Sequence, residues 1–76
     1  MNRVTLVVKG TEAEAHKAAH DRHIPATVRS CLRSYETVLE IPCSESILNR
    51  VVDWYAEDHD FNTVLPVGSL LLWRVL

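Results

Sequence analysis

Apolar and polar positions alternate with period two over residues 3–9, RVTLVVK. Val4, Leu6 and Val8 share one side; Thr5, Val7 and Lys9 share the other. Rich in β-branched residues, this segment predicts a strand buried on at least one side. Gly10 permits a sharp exit. Thr11 followed three residues later by Glu14 forms a capping-box pattern, so a helix starts there. Glu12 and Glu14 lie in its first turn and Lys17 and Arg22 towards its end, as the helix macrodipole favours. Ala15, Ala18 and Ala19 make a stripe of methyl groups that lets the helix sit close to a sheet. Pro25 disfavours helical geometry at Ile24, which ends the helix near Arg22 or His23.

β-formers return over 26–32 and again over 35–41, with Arg33 and Ser34 as a short turn between them. In the later strand Tyr35, Thr37, Leu39 and Ile41 face one way and Glu36, Val38 and Glu40 the other, and Pro42 stops it. Ser44 is an N-cap, with Glu45 in the first turn of a second helix over 45–57. Ile47, Leu48, Val51, Trp54 and Tyr55 gather on one side of that helix, opposite Asn49, Asp53 and Glu57. A loop, a Pro66–Gly68 turn and a last strand, SLLLWRV, complete the chain. A terminal strand is held best between two neighbours, so this one is expected inside the sheet. The order βαββαβ predicts one α+β domain spanning 1–76, a ferredoxin-like sandwich. Its first strand is central, and right-handed crossovers put both helices on one face of an antiparallel sheet. The competing architecture is a three-stranded sheet in which 26–32 is a loop.

Size and charge narrow the possible functions. A chain of 76 residues buries only about 60% of the surface its unfolded form exposes, so association is a natural source of added stability. The composition, 47% hydrophobic and 24% charged, is that of a globular domain. A net charge of −2 removes the general attraction to phosphate on which nucleic-acid binders rely. Cys31 and Cys43 form no C-x-x-C motif, the first residues are not those of a secretory leader, and no apolar run is long enough to span a bilayer. These features place the chain in a cytoplasm with reduced thiols.

Three groups of residues stand out. His16, His20 and His23, at helical spacings of four and three, form a stripe with the H-x-x-x-H spacing that holds divalent metals, though no H-E-x-x-H accompanies it. Asp53, Glu57, Asp58 and Asp60 gather acidic charge at the end of the second helix, either as a solvated helix end or as a docking patch for a basic partner. The helix-free face of the sheet is expected to carry Arg3, Val7, Arg29, Arg33, Val38, Leu70, Leu72 and Arg74, against a core of Val4, Leu6, Val8, Leu39, Ile41, Leu71, Trp73 and Val75. That outer face mixes apolar groups with both signs of charge and lacks aromatic platforms for bases, which suits a protein partner better than RNA. No residue set points to catalysis or to a cofactor.

The segments VTLVVKGTEAEAHKAA and LPVGSLLLW resemble short bacteriophage proteins that open with a strand and an Ala-rich helix and end in a Pro-x-Gly turn and a strand. The resemblance covers the two ends and carries no site residues across. It implies a viral setting, in which a small acidic domain binds and blocks a host protein. Other domains of this architecture fit less well. KGTE stands at 9–12 where a heavy-metal-associated domain has C-x-x-C, and the same loop has one glycine where an acylphosphatase has a phosphate cradle. The expectation is therefore a non-enzymatic protein-binding module, self-associating or acting on a host protein. The alternative is a metal- or ligand-binding regulator that uses the helix histidines.

Overall fold

The computed structural model describes residues 2–32, 35–58 and 65–75. Its elements follow the predicted order: β1 (Arg3–Lys9), α1 (Glu12–Asp21), β2 (Thr27–Leu32), β3 (Glu36–Pro42), α2 (Glu45–Asp58) and β4 (Leu70–Val75). The strands form one antiparallel sheet in the order β2-β3-β1-β4, with β1 central. This is the ferredoxin-like arrangement, and it excludes the three-stranded alternative.

Period-two alternation aims Val4, Leu6 and Val8 of β1 at Ile41, Leu39 and Thr37 of β3, on the same side of the sheet. The helices cover that side. Ala15 and Ala19 of α1 and Ile47, Val51 and Trp54 of α2 join those strand residues in one buried cluster. Trp54 is the largest fully buried side chain, and the Arg22 guanidinium lies 4.7 Å from its ring centroid. Burial of apolar area at roughly 25 cal/mol per Å² drives this packing. The methyl stripe of α1 contributes less per residue than the larger side chains of α2.

β4 occupies an edge, contrary to the expectation that the last strand lies inside the sheet. β3 pairs between β2 and β1, and the α2 connection carries the chain from β3 past β1 to the free side of that strand, which makes the final strand an edge. Edge placement explains why Val75, expected in the core, is 48% exposed and why Trp73 is only partly buried. A bulge adds a second change. Val7 pairs with Leu72 but Val8 pairs with Leu70, so Leu71 is the extra residue and Leu70 turns inward, 3% exposed. Strict alternation assigns Leu70 to the outer face; the bulge moves it into the core.

Local chemistry fixes the element ends. The Glu14 amide donates to Thr11 Oγ1 at 3.3 Å and the Thr11 amide donates to Glu14 Oε1 at 3.2 Å, the reciprocal box read from the sequence. At the other end of α1 the Ile24 amide donates to the Ala19 carbonyl and the His23 amide to the His20 carbonyl, both at 2.9 Å, with His23 at φ 57°. This is a Schellman motif with histidine in the left-handed position usually held by glycine. Two glycines are required where the β1–α1 loop meets the turn before β4. Gly68 has φ +82°, and a Cβ there would lie 2.9 Å from the Ala18 methyl; Gly10 has φ +137° and meets Val67 and the Gly68 amide. The Gly68 amide donates to the Lys9 carbonyl, and the Thr37 hydroxyl donates to the Gly10 carbonyl at 3.1 Å. The start of β4 is thereby tied to the end of β1.

Candidate functional site

On the helix-free face, register places four central positions side by side: Ser30, Val38, Val7 and Leu72, from β2 through β4. Val38 is only 7% exposed because its cross-strand neighbours flank it on both sides, whereas Leu72, on an edge strand, is 56% exposed. The row is most exposed at its β4 end. On one side of it lie Thr27, Glu40, Thr5 and Arg74; on the other, Leu32, Glu36 and Lys9.

Glu40 organises the charges. Arg3 Nη1 donates to its Oε2 at 3.0 Å, and Arg29 Nη1 stands 3.5 Å from its Oε1. Arg29 reaches this position because it is the extra residue of a bulge between Val28 and Ser30 in β2. Exposed pairs of this kind add little stability, but they set the sign of the surface. The described outer face holds the cations Arg3, Lys9, Arg29 and Arg74 against the carboxylates Glu36 and Glu40. The remainder of the chain has four cations against eight carboxylates. A chain of negative net charge thus has one positive face.

Of the outer-face residues expected from the sequence, Arg3, Val7, Arg29, Val38, Leu72 and Arg74 are on that face, Leu70 is not, and Arg33 lies outside the described residues. The acidic group is less unified than its spacing implies. Asp53 is exposed, but the Glu57 carboxylate accepts from Arg22 at 3.0 Å. Asp60 and the side chain of Asp58 lie outside the described residues.

The histidine stripe divides. His16 and His20 lie within α1, but His23 leaves it at the left-handed cap, so the third position of the stripe is lost. Among the described residues no three His, Cys, Asp or Glu side chains converge as a metal site. Cys31 is exposed, 4.0 Å from a Glu12 carboxylate oxygen, and both thiols are free.

His16 and His20 border something the sequence reading missed, a cleft of about 670 Å³ at the corner where β2 begins. β2 starts at Thr27, opposite Glu40, whereas β1 and β3 continue to Arg3 and Pro42. The last two rows of the sheet, Val4–Ile41 and Arg3–Pro42, therefore have no β2 member. Ile24 and Ile41 form the floor, Pro25 and Pro42 the rim, and Arg3 and Thr27 the side nearest the outer face. No spacing in the sequence signals this cleft, because it is made by rows of the sheet that β2 does not reach. Among the described residues no helix is long and apolar enough to cross a membrane. Comparison of the chain with protein-family models, with curated proteins and with solved structures finds no match.

Proposed function

We propose that this chain is a non-enzymatic protein-binding module whose outer sheet face docks onto an acidic surface of a protein partner. The supporting observation is the helix-free row Val38–Val7–Leu72, exposed at Leu72 and bordered by Arg3, Lys9, Arg29 and Arg74 on a chain that is otherwise negative. An apolar strip with a charged rim is the anatomy of a docking surface, and its sign selects the partner. Face-to-face stacking of two copies would bring like charges together, so a different, acidic partner is favoured over self-association. Nucleic acid fits poorly, because the outer-face positions of the central strands, Thr5, Val7, Val38 and Glu40, offer no ring for a base to stack on. The resemblance of the two chain ends to small phage proteins adds a setting, a stoichiometric modulator of a host protein.

Affinity capture from a bacterial lysate with wild type, L72D, R74E and the helix variant D53K tests the reading. The expected result is a protein retained by wild type and D53K, lost with L72D and R74E, and eluted by moderate salt. Retention of the same proteins by all four chains would refute docking through this face.

A further inference from the structure

The cleft at the start of β2 has the dimensions and chemistry of a small-molecule site. Its volume of about 670 Å³ lies within the roughly 300–1,000 Å³ typical of such sites. Its existence follows from the fold. β2 is two rows too short to close the sheet corner, and α1 presents Ala15 and Ala19 to the core, so no bulky side chain of its buried stripe fills the gap.

Of the polar side chains around it, Arg3 only donates, His16, His20, Asn2 and Thr27 can donate, and Glu40 accepts. Pro25 and Pro42 at the rim have no amide N–H to offer. Donation comes instead from the imidazoles of His16 and His20, the Asn2 amide and the Arg3 guanidinium. Arg3 gives one nitrogen to Glu40 and keeps a side chain 68% exposed, with donors to spare. Glu40 is the carboxylate among the lining residues, and Arg3 and Arg29 both pair with it. The ion cluster at this corner therefore retains one positive charge. Ile24, Ile41 and the two prolines supply an apolar floor and rim.

We propose that this cleft binds a small organic anion, a carboxylate or phosphate head on an apolar body. The head lies among Arg3, Asn2 and the two histidines, and the body lies along Ile24, Pro25 and Pro42. A neighbouring hollow beside α1 shares His16 but is lined by both Glu12 and Lys17, so it lacks the net positive charge of the Arg3 corner. This inference does not rest on docking through the outer face, although Arg3 borders both sites. It replaces the metal stripe with a different role for two of the same histidines.

Amide chemical-shift titration of the ¹⁵N-labelled chain tests it, with benzoate and phenyl phosphate as anionic probes and benzyl alcohol as the neutral one. Saturable shifts are expected at His16, His20, Ala26 and Thr27. Binding of the alcohol, and of the anions to R3Q and to the H16Q/H20Q double variant, should be weaker by about tenfold, as expected for loss of a charge-assisted hydrogen bond. A response to benzoate alone or to phenyl phosphate alone assigns the head group, and either supports the site. Equal binding of the alcohol, undiminished binding to R3Q or H16Q/H20Q, or no saturable shift with either anion overturns it. These positions are exposed, so the variants should keep the wild-type melting curve, and a curve that changes is met by repeating the titration with the single variants H16Q and H20Q.

Discussion

Gly68→Ala tests the joint between the turn before β4 and helix α1. The new Cβ would stand 2.9 Å from the Ala18 methyl, whereas ordinary contact lies at 3.4–4 Å. The methyl of Ala18 has no rotamer by which to withdraw, so helix and turn must separate by about half an ångström or more. Overpacking of this kind costs about 1–3 kcal/mol. Placing an L-residue at φ +82° adds about 1–2 kcal/mol. Loss of glycine's freedom in the unfolded chain returns about 0.4–1 kcal/mol. The net expectation is about 2–3 kcal/mol, a large part of the 5–15 kcal/mol that holds a domain together. For a chain of this length that lowers Tm by about 10–20 °C. Urea denaturation followed by far-UV circular dichroism should show an earlier midpoint with an unchanged slope. Ala18→Gly costs about 1 kcal/mol of helix propensity by itself. Because it also removes the obstructing methyl, the double variant should be more stable than the sum of the two losses by about 1–2 kcal/mol. A Gly68→Ala chain as stable as wild type, or two losses that simply add, would refute the close approach.

The remaining predictions concern helix ends and the buried ring. His23→Gly relieves a left-handed residue while leaving the His23 carbonyl, which accepts from Arg50 at 3.3 Å, in place. It should raise stability by about 0.5–1 kcal/mol, and a lower denaturation midpoint would count against the cap. Thr11→Ala removes the N-cap oxygen and should cost about 1 kcal/mol, whereas Thr11→Ser should cost far less in the same denaturation assay. Arg22→Ala loses the stacking on Trp54 and the Nη1 bond to the Ala18 carbonyl at 3.0 Å. About 1–2 kcal/mol should go with them, along with a change in tryptophan emission, and an unchanged spectrum would argue against the stacked geometry.

Sequence and structure agree where a local rule has no competitor. The Thr11/Glu14 box, the stop before Pro25 and the Ile47–Val51–Trp54 stripe depend on residues within one or two turns of each other, and all three are found. The errors arise where a strand's partner decides the outcome. Leu70 faces the core because β1 and β4 slip by one residue, and no spacing within SLLLWRV signals that slip. The edge position of β4 is likewise a property of topology, since a terminal strand has the same alternation wherever it pairs. Position 23 failed differently. Three histidines at spacings of four and three form a stripe only while the helix lasts, and Pro25 ends it before the third. The cleft was invisible for a further reason: it is made by the two rows that β2 does not reach, and a missing neighbour leaves no mark in a sequence.

The outer face, rather than either sheet edge, is the better docking surface for a physical reason. β2 and β4 are the edge strands of the sheet, and LLLWRV is the kind of apolar edge that recruits other strands. Each edge strand carries a bulge, at Arg29 in β2 and at Leu71 in β4. A bulge bends the strand and disrupts regular pairing, one of the means by which natural sheets resist edge-to-edge growth. The same distortion that blunts the β2 edge delivers the Arg29 guanidinium to Glu40. The β4 slip takes Leu70 inward and leaves Leu72 and Arg74 side by side with Val7 and Thr5. Two local irregularities thus discourage addition of a strand at the rims while placing charge and apolar surface on the open face, where an acidic partner would meet them.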